Sequence, residues 1–184
     1  MYCTCICAQD DAFNDYLKGK HKIEKRSMIT LTSWGGLNLT SGLIGMNLSS
    51  GESNYFHQMN LAWGAINMGI GISGLLIKRK EPENLKGIID QDHRLEKILY
   101  INTGLDIAYM TAGLLLKAQA QNDMKNYHRF KGFGNSLLIQ GGFLFAFDIA
   151  QIIIHSRYRK GNESKLWKKL LFSDHGLGFK YTFL

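Results

Sequence analysis

Two carboxylates stand out by their isolation. Between Lys97 and Lys117 the only charged residue is Asp106, and between Lys131 and Arg157 the only one is Asp148. Neither run offers a Lys or Arg to neutralise its carboxylate. A carboxyl group inside a long apolar run is costly and marks a functional site by default. The chemistry open to it is proton exchange, with His57, Tyr109 and His155 as nearby candidates for the other end of a relay. The structural alternative is that Asp106 and Asp148 serve only as hydrogen-bonding partners between helices.

The uncharged residues around them fall at helical spacing. In YFHQMNLAWGAIN and the stretch after it, His57, Asn60, Gly64, Asn67, Gly71 and Gly74 recur at steps of three and four, one stripe along one helix face. The same reading gives Gly35, Asn38, Gly42 and Gly45 upstream. Downstream it gives Asn102, Asp106, Tyr109 and Gly113, then Gly141, Leu144, Asp148, Gln151 and His155. Three of these stripes share a short pattern: WGGLN followed by Gly45, WGAIN followed by Gly74, and NTGLD followed by Gly113. Old duplication and convergent helix packing explain it equally well.

The elements that position these groups follow from the charge distribution. Residues 27–51 and 53–77 contain no Asp, Glu, Lys or Arg, and only Glu52 separates them. Uncharged apolar runs of about 18 residues or more are long enough to cross a bilayer. The expected architecture is all-α: a membrane-embedded four-helix bundle with short loops and spans at 27–48, 55–77, 97–117 and 133–156. The third helix extends beyond the membrane, because Leu85, Ile88, Asp92, Leu95 and Leu99 already follow helical spacing. Most of the 20 glycines lie within the four runs. Each costs a water-soluble helix up to about 1 kcal/mol relative to Ala, whereas in lipid small residues let helices approach closely. Gly42, Gly45, Gly64, Gly71, Gly74 and Gly113 are expected at such contacts, as are Gly142 and Ala146 of Gly142-x3-Ala146-x3-Ala150. A soluble four-helix bundle is the competing fold.

Within lipid, unpaired polar groups cost several kcal/mol, so the stripes should turn inward and satisfy one another. The net charge of +7 sits between and around the runs. A nucleic-acid binder would instead carry Lys and Arg along one helix face, so no nucleic-acid partner is expected. Residues 10–26 form a basic juxtamembrane segment and 157–184 a basic tail, in which SKLWKKLLF suits an amphipathic helix on the headgroups. The final GLGFKYTFL alternates with a period of two. Residues 1–9, with cysteines at alternating positions, suit the remnant of a signal peptide better than a metal site, although the charged and long apolar parts of a signal do not precede them. The distribution of Lys and Arg places both termini in the cytoplasm. A cleaved signal places them outside, and the sequence leaves that conflict open.

The segments YFHQMNLAWGAIN, NTGLDIAYMTAGLLL and LIQGGFLFAFD resemble a family of small four-helix membrane proteins of unknown function from Bacteroidota-type bacteria. That family's pattern combines a signal-like start, a W-x3-N first helix, the FHQMN segment, and the GLD and QGGF…FD segments. The resemblance covers roughly residues 27–156. It implies a bacterial origin and four spans and no particular activity; the absent upstream signal departs from the pattern.

The sequence thus predicts a multi-pass protein of the bacterial inner membrane, a non-enzymatic structural or assembly component of the envelope. Its partners are the lipid bilayer and a second copy or a larger envelope assembly, and it needs neither cofactor nor metal. No phosphate loop, nucleophile elbow, HExxH or dithiol pair is present. Two alternatives stay open: a small proton-linked carrier or relay through Asp106 and Asp148, and a redox protein holding haem or quinone. In the haem reading, His57 and His128 share one membrane face, with His21, His93 and His155 at the other.

Overall fold

The computed structural model describes the backbone of residues 3–77, 80–82 and 84–173, and side chains within 13–162 apart from 78–79, 83 and 85. Four helices follow one another: α1 (Cys3–Leu48), α2 (Gly51–Leu76), α3 (Leu85–Ala120) and α4 (Tyr127–Ser173). The described residues form two compact units, one of residues 24–152 and one that joins those before 24 to those after 152. In the smaller unit Tyr158 donates its hydroxyl to the Tyr16 carbonyl at 3.0 Å, and the two rings lie 5.2 Å apart.

The larger unit is an up-down-up-down bundle. Gly35 approaches Gly64 while Thr32 approaches Gly71, so α1 and α2 run antiparallel. Asn60 bonds Ser136 and Glu52 bonds Asn135, so α2 and α4 run parallel. Gly113 meets Gly134 and Asp106 meets Gly141, which sets α3 antiparallel to α4.

The helix limits have local causes. Only Ser49 and Ser50 separate α1 from α2, and Gly51 opens α2 at φ +59°, a left-handed conformation that glycine adopts without the Cβ clash. Asn84 caps α3 by accepting the Gly87 N–H at 2.9 Å, so α3 starts well before the expected span. At the α3–α4 turn, Asp123 accepts both the backbone and the side-chain N–H of Asn126.

Two helices outrun the sequence expectation. Residues 3–26 are helical and continuous with the expected first span in α1, and 157–173 are continuous with the expected fourth span in α4. No proline interrupts either stretch. The terminal 174–184 segment and the side chains of the N-terminal cysteines lie outside the described residues.

Among the described residues, three helical segments are long and apolar enough to cross a membrane: Gly51–Leu76, Lys86–Ala120 and Tyr127–Asn162. The expected first span, 27–48, is not among them, because Ser, Thr and Asn dilute its apolar residues. Polarity in the bundle is inverted relative to a soluble protein. Leu37, Ile66, Ile70, Ile107 and Leu114 are more than half exposed, whereas Asn38, Asn60, Asn67, Asp106, Ser136, Gln140, Asp148 and Gln151 are buried. Soluble domains bury the first kind and expose the second.

Candidate functional site: the polar file inside the bundle

The helices approach closely enough for their polar stripes to meet. A Cβ added at Gly42 would lie 2.6 Å from the Leu61 nitrogen, and one at Gly64 would lie 2.8 Å from the Gly35 carbonyl. Gly71 faces Thr32, Gly74 faces the Met28 side chain, and Gly45 underlies the His57 ring. On the other side of the bundle, Gly113 and Gly134 abut each other's carbonyls. Gly142 departs from its expected role: an added Cβ there would meet nothing within 4 Å, and Ala146 is exposed. The close contact on α4 instead runs through Gly134 and Gly141, because Gly142 sits about 100° further round the helix than Gly141.

At the centre, Gln140 is completely buried and joins three helices. Its Nε2 donates to Asn38 Oδ1 at 2.6 Å and to Asn60 Oδ1 at 3.1 Å. Its Oε1 accepts from Trp34 Nε1 at 2.9 Å. Ser136, one turn earlier and equally buried, donates to Asn60 Oδ1 at 2.6 Å. The Asn38 amide nitrogen donates to the Trp34 carbonyl at 2.8 Å, which holds both residues in place. Phe143 stacks on the Trp34 ring at 3.8 Å, and Trp63 meets Tyr109 edge-on at 4.9 Å. Every polar group of Gln140 is thus paired, as a buried amide requires.

Further along α4 the pairing becomes incomplete. Asp148 hydrogen-bonds Asp106 side chain to side chain, which brings α3 into the file. Asp106 Oδ2 nevertheless has no partner among the described residues, and neither has Asn67 Nδ2. The Trp63–Tyr109 contact sets the register: Asn67 is one turn beyond Trp63 and Asp106 one turn before Tyr109, so in antiparallel helices they share a level. Beyond them Ser27 donates to Gln151. At the opposite end Glu52 accepts from Asn135 at 2.7 Å and pairs with Lys131 at 3.1 Å. From Lys131 to Gln151 the file follows α4 for about 30 Å at 1.5 Å per residue, the thickness of a hydrocarbon layer.

The structure therefore brings together Asn38 and Asn60, and separately Asp106 and Asp148. Asn102 lies half-buried one turn before Asp106. His57 turns its ring against Gly45, with Nδ1 unpartnered among the described residues. His155 belongs to the smaller unit. No group of three His, Cys, Asp or Glu side chains suited to a metal occurs among the described residues.

Sequence reasoning missed Ser136, Gln140 and the Glu52–Lys131–Asn135 cluster. Ser136, Gln140 and Asp148 share an i, i+4 stripe, so extending the α4 stripe backward would have found the first two. The neighbouring Gly141 had taken Gln140's place.

No curated protein and no solved structure matches this chain. The profile of a family of unknown function, DUF6992, matches residues 30–149, which hold every member of the central network and both carboxylates. The chain belongs to that family.

Proposed function

We propose that this protein is a non-enzymatic integral component of the bacterial inner membrane, a structural or assembly element built as a multi-pass bundle. The observation that carries the reading is the inverted polarity: apolar side chains face outward and a hydrogen-bonded amide layer fills the centre. In water such a surface would aggregate; in lipid it is solvated, and the inward polar groups hold the helices together. The outward Gly142-x3-Ala146-x3-Ala150 stripe on α4 offers a second copy a close approach. The test is expression of the full chain followed by alkaline extraction of membranes. The protein should stay in the pellet and be released only by detergent. Release by alkali alone would refute membrane integration.

A second reading, a proton-linked carrier or relay, is favoured by the Asp106–Asp148 contact. A hydrogen bond between two carboxyl groups needs a proton on one of them, and Asp106 Oδ2 is buried with no further hydrogen-bond partner among the described residues. The two readings part on Asp106→Asn and Asp148→Asn. Under the assembly reading both variants reconstitute into vesicles normally and differ only in stability. Under the relay reading the native protein accelerates the decay of an imposed pH gradient, followed with an entrapped dye, and both variants abolish that.

A further inference from the structure

α2 and α4 are parallel and begin at the same end of the bundle: Gly51 lies against the His128 ring, and a Cβ at Gly132 would lie 2.8 Å from the Phe56 nitrogen. Between the first two turns of α2 and the third and fourth turns of α4 runs an open groove of about 600 Å³, lined by Glu52, Ser53, Phe56, Asn135, Leu138 and Ile139. That volume is in the range of small-ligand sites. Its lining is graded: carboxylate, hydroxyl and amide at the mouth, then an aromatic and two aliphatic side chains one turn deeper. Lys131 stands at the mouth, 3.1 Å from Glu52, and both side chains remain about one-third exposed. Ser50 makes no side-chain cap on α2, so the first-turn N–H groups of α2, where Glu52 and Ser53 lie, are left without a side-chain cap at its positive dipole end.

We propose that this groove binds one phospholipid whose headgroup carries a primary ammonium. The inference rests on the membrane reading above. Opposite charges sit side by side at the mouth, which matches a zwitterion rather than an anion. The ammonium donates hydrogen bonds to Glu52 and takes over part of its pairing with Lys131. The phosphate faces Lys131 and the uncapped N–H groups of α2. The first acyl carbons lie along Phe56, Leu138 and Ile139, in the direction in which both helices enter the membrane. A choline headgroup has no N–H to donate, and a glycerol headgroup brings no cation to Glu52 while leaving its phosphate near a carboxylate.

The test is reconstitution of the full chain into vesicles of ethanolamine, choline and glycerol phospholipids in equal amounts, then release into mild detergent and native mass spectrometry. One ethanolamine phospholipid should remain bound in about tenfold preference over the other two. Glu52→Gln should remove the preference, and Ile139→Trp, which fills the floor from an exposed position, should remove the lipid with Glu52 intact. Glu81→Gln, in the α2–α3 connection, should change neither. Retention blind to headgroup, or a preference that survives Glu52→Gln, overturns the proposal while leaving membrane integration standing. A chain that never enters the vesicles overturns both.

Discussion

Gln140→Leu is the perturbation that most directly tests whether the central layer holds the bundle together. Leu is close in volume and apolar, so the change removes hydrogen bonds with little cavity. Three interhelical bonds disappear, to Asn38, to Asn60 and from Trp34. Within membranes such bonds are worth about 0.6 kcal/mol each, with maxima near 1.7, which gives about 2 kcal/mol for three. Two buried groups lose their partners, Asn38 Oδ1 and Trp34 Nε1, whereas Asn60 Oδ1 keeps Ser136. Buried orphans add about 1–3 kcal/mol where nothing replaces the lost partner. The expected loss is therefore about 3–5 kcal/mol, read as a lower midpoint in equilibrium unfolding from mild detergent into SDS. Asn38→Leu in the same chain removes one orphan, so the double variant should be less destabilised than the sum of the singles by about 1 kcal/mol. A midpoint for Gln140→Leu unchanged within about 0.5 kcal/mol would refute the reasoning. It would mean that water reaches the layer and replaces the side chain, and a wet interior would shift the balance toward the relay reading.

Other outcomes follow from neighbouring features. Gly64→Leu should prevent or severely weaken folding, because the added Cβ alone would collide with the Gly35 carbonyl and the Leu39 backbone. Gly142→Leu, facing open space, should leave the unfolding midpoint within about 0.5 kcal/mol of native, and if copies associate along α4 it should shift the oligomer seen in detergent. Asn67→Leu should be neutral or stabilising and Asn60→Leu destabilising, since Asn67 Nδ2 has no partner to lose and Asn60 accepts two bonds. In the α3–α4 turn, the Asn126 side chain and then its backbone N–H hold the Asp123 carboxyl below the usual carboxylate range. A depressed folded-state pKa means that the turn's contribution is complete above the unfolded carboxylate pKa. It is lost as pH falls through the lower, folded value. Amide exchange at Asn126, corrected for its intrinsic pH dependence, should rise over that acidic window and stay constant above it. Asp123→Ala should remove the step.

The inward stripes were legible because helical periodicity and the cost of polar groups in lipid constrain the same residues. Asn38, Asn60, Asn67, Asp106 and Asp148 are all buried, as the stripe argument requires. The ends of α1 and α4 were not legible. The expected limits at 27 and 156 are limits of apolar composition, and neither stretch beyond them contains a proline to stop the backbone there. The pairing within the stripes was also hidden: Gln140 donates to α1 and α2 and accepts from α1, a role set by interhelical register, which no single-helix pattern encodes. Gly141 and Gly142 show the same gap, since adjacent glycines read alike until a neighbouring helix selects one of them.

The low hydropathy of residues 27–48 bears on whether α1 could cross a membrane as the other three helices could. Transfer scales charge each hydroxyl and amide as though it reached lipid unpaired, yet here many of these groups bond their own helix. Thr32 donates to the Met28 carbonyl at 2.8 Å, Thr30 to Arg26 at 3.0 Å and Asn47 to Leu43 at 2.7 Å. Exposed hydroxyls on α2 and α3 do the same: Ser73 bonds Gly69, and Thr111 bonds Ile107. Self-bonding of this kind removes most of the penalty of an exposed hydroxyl in lipid. Asn38, the most polar group near the centre of the stretch, is buried against Gln140 rather than turned outward. With Asn38 buried, many of the helix's hydroxyls and amides bonded to its own carbonyls, and Leu37, Leu43 and Ile44 facing out, α1 carries an outer surface of the same kind as its neighbours, although its composition alone reads as too polar.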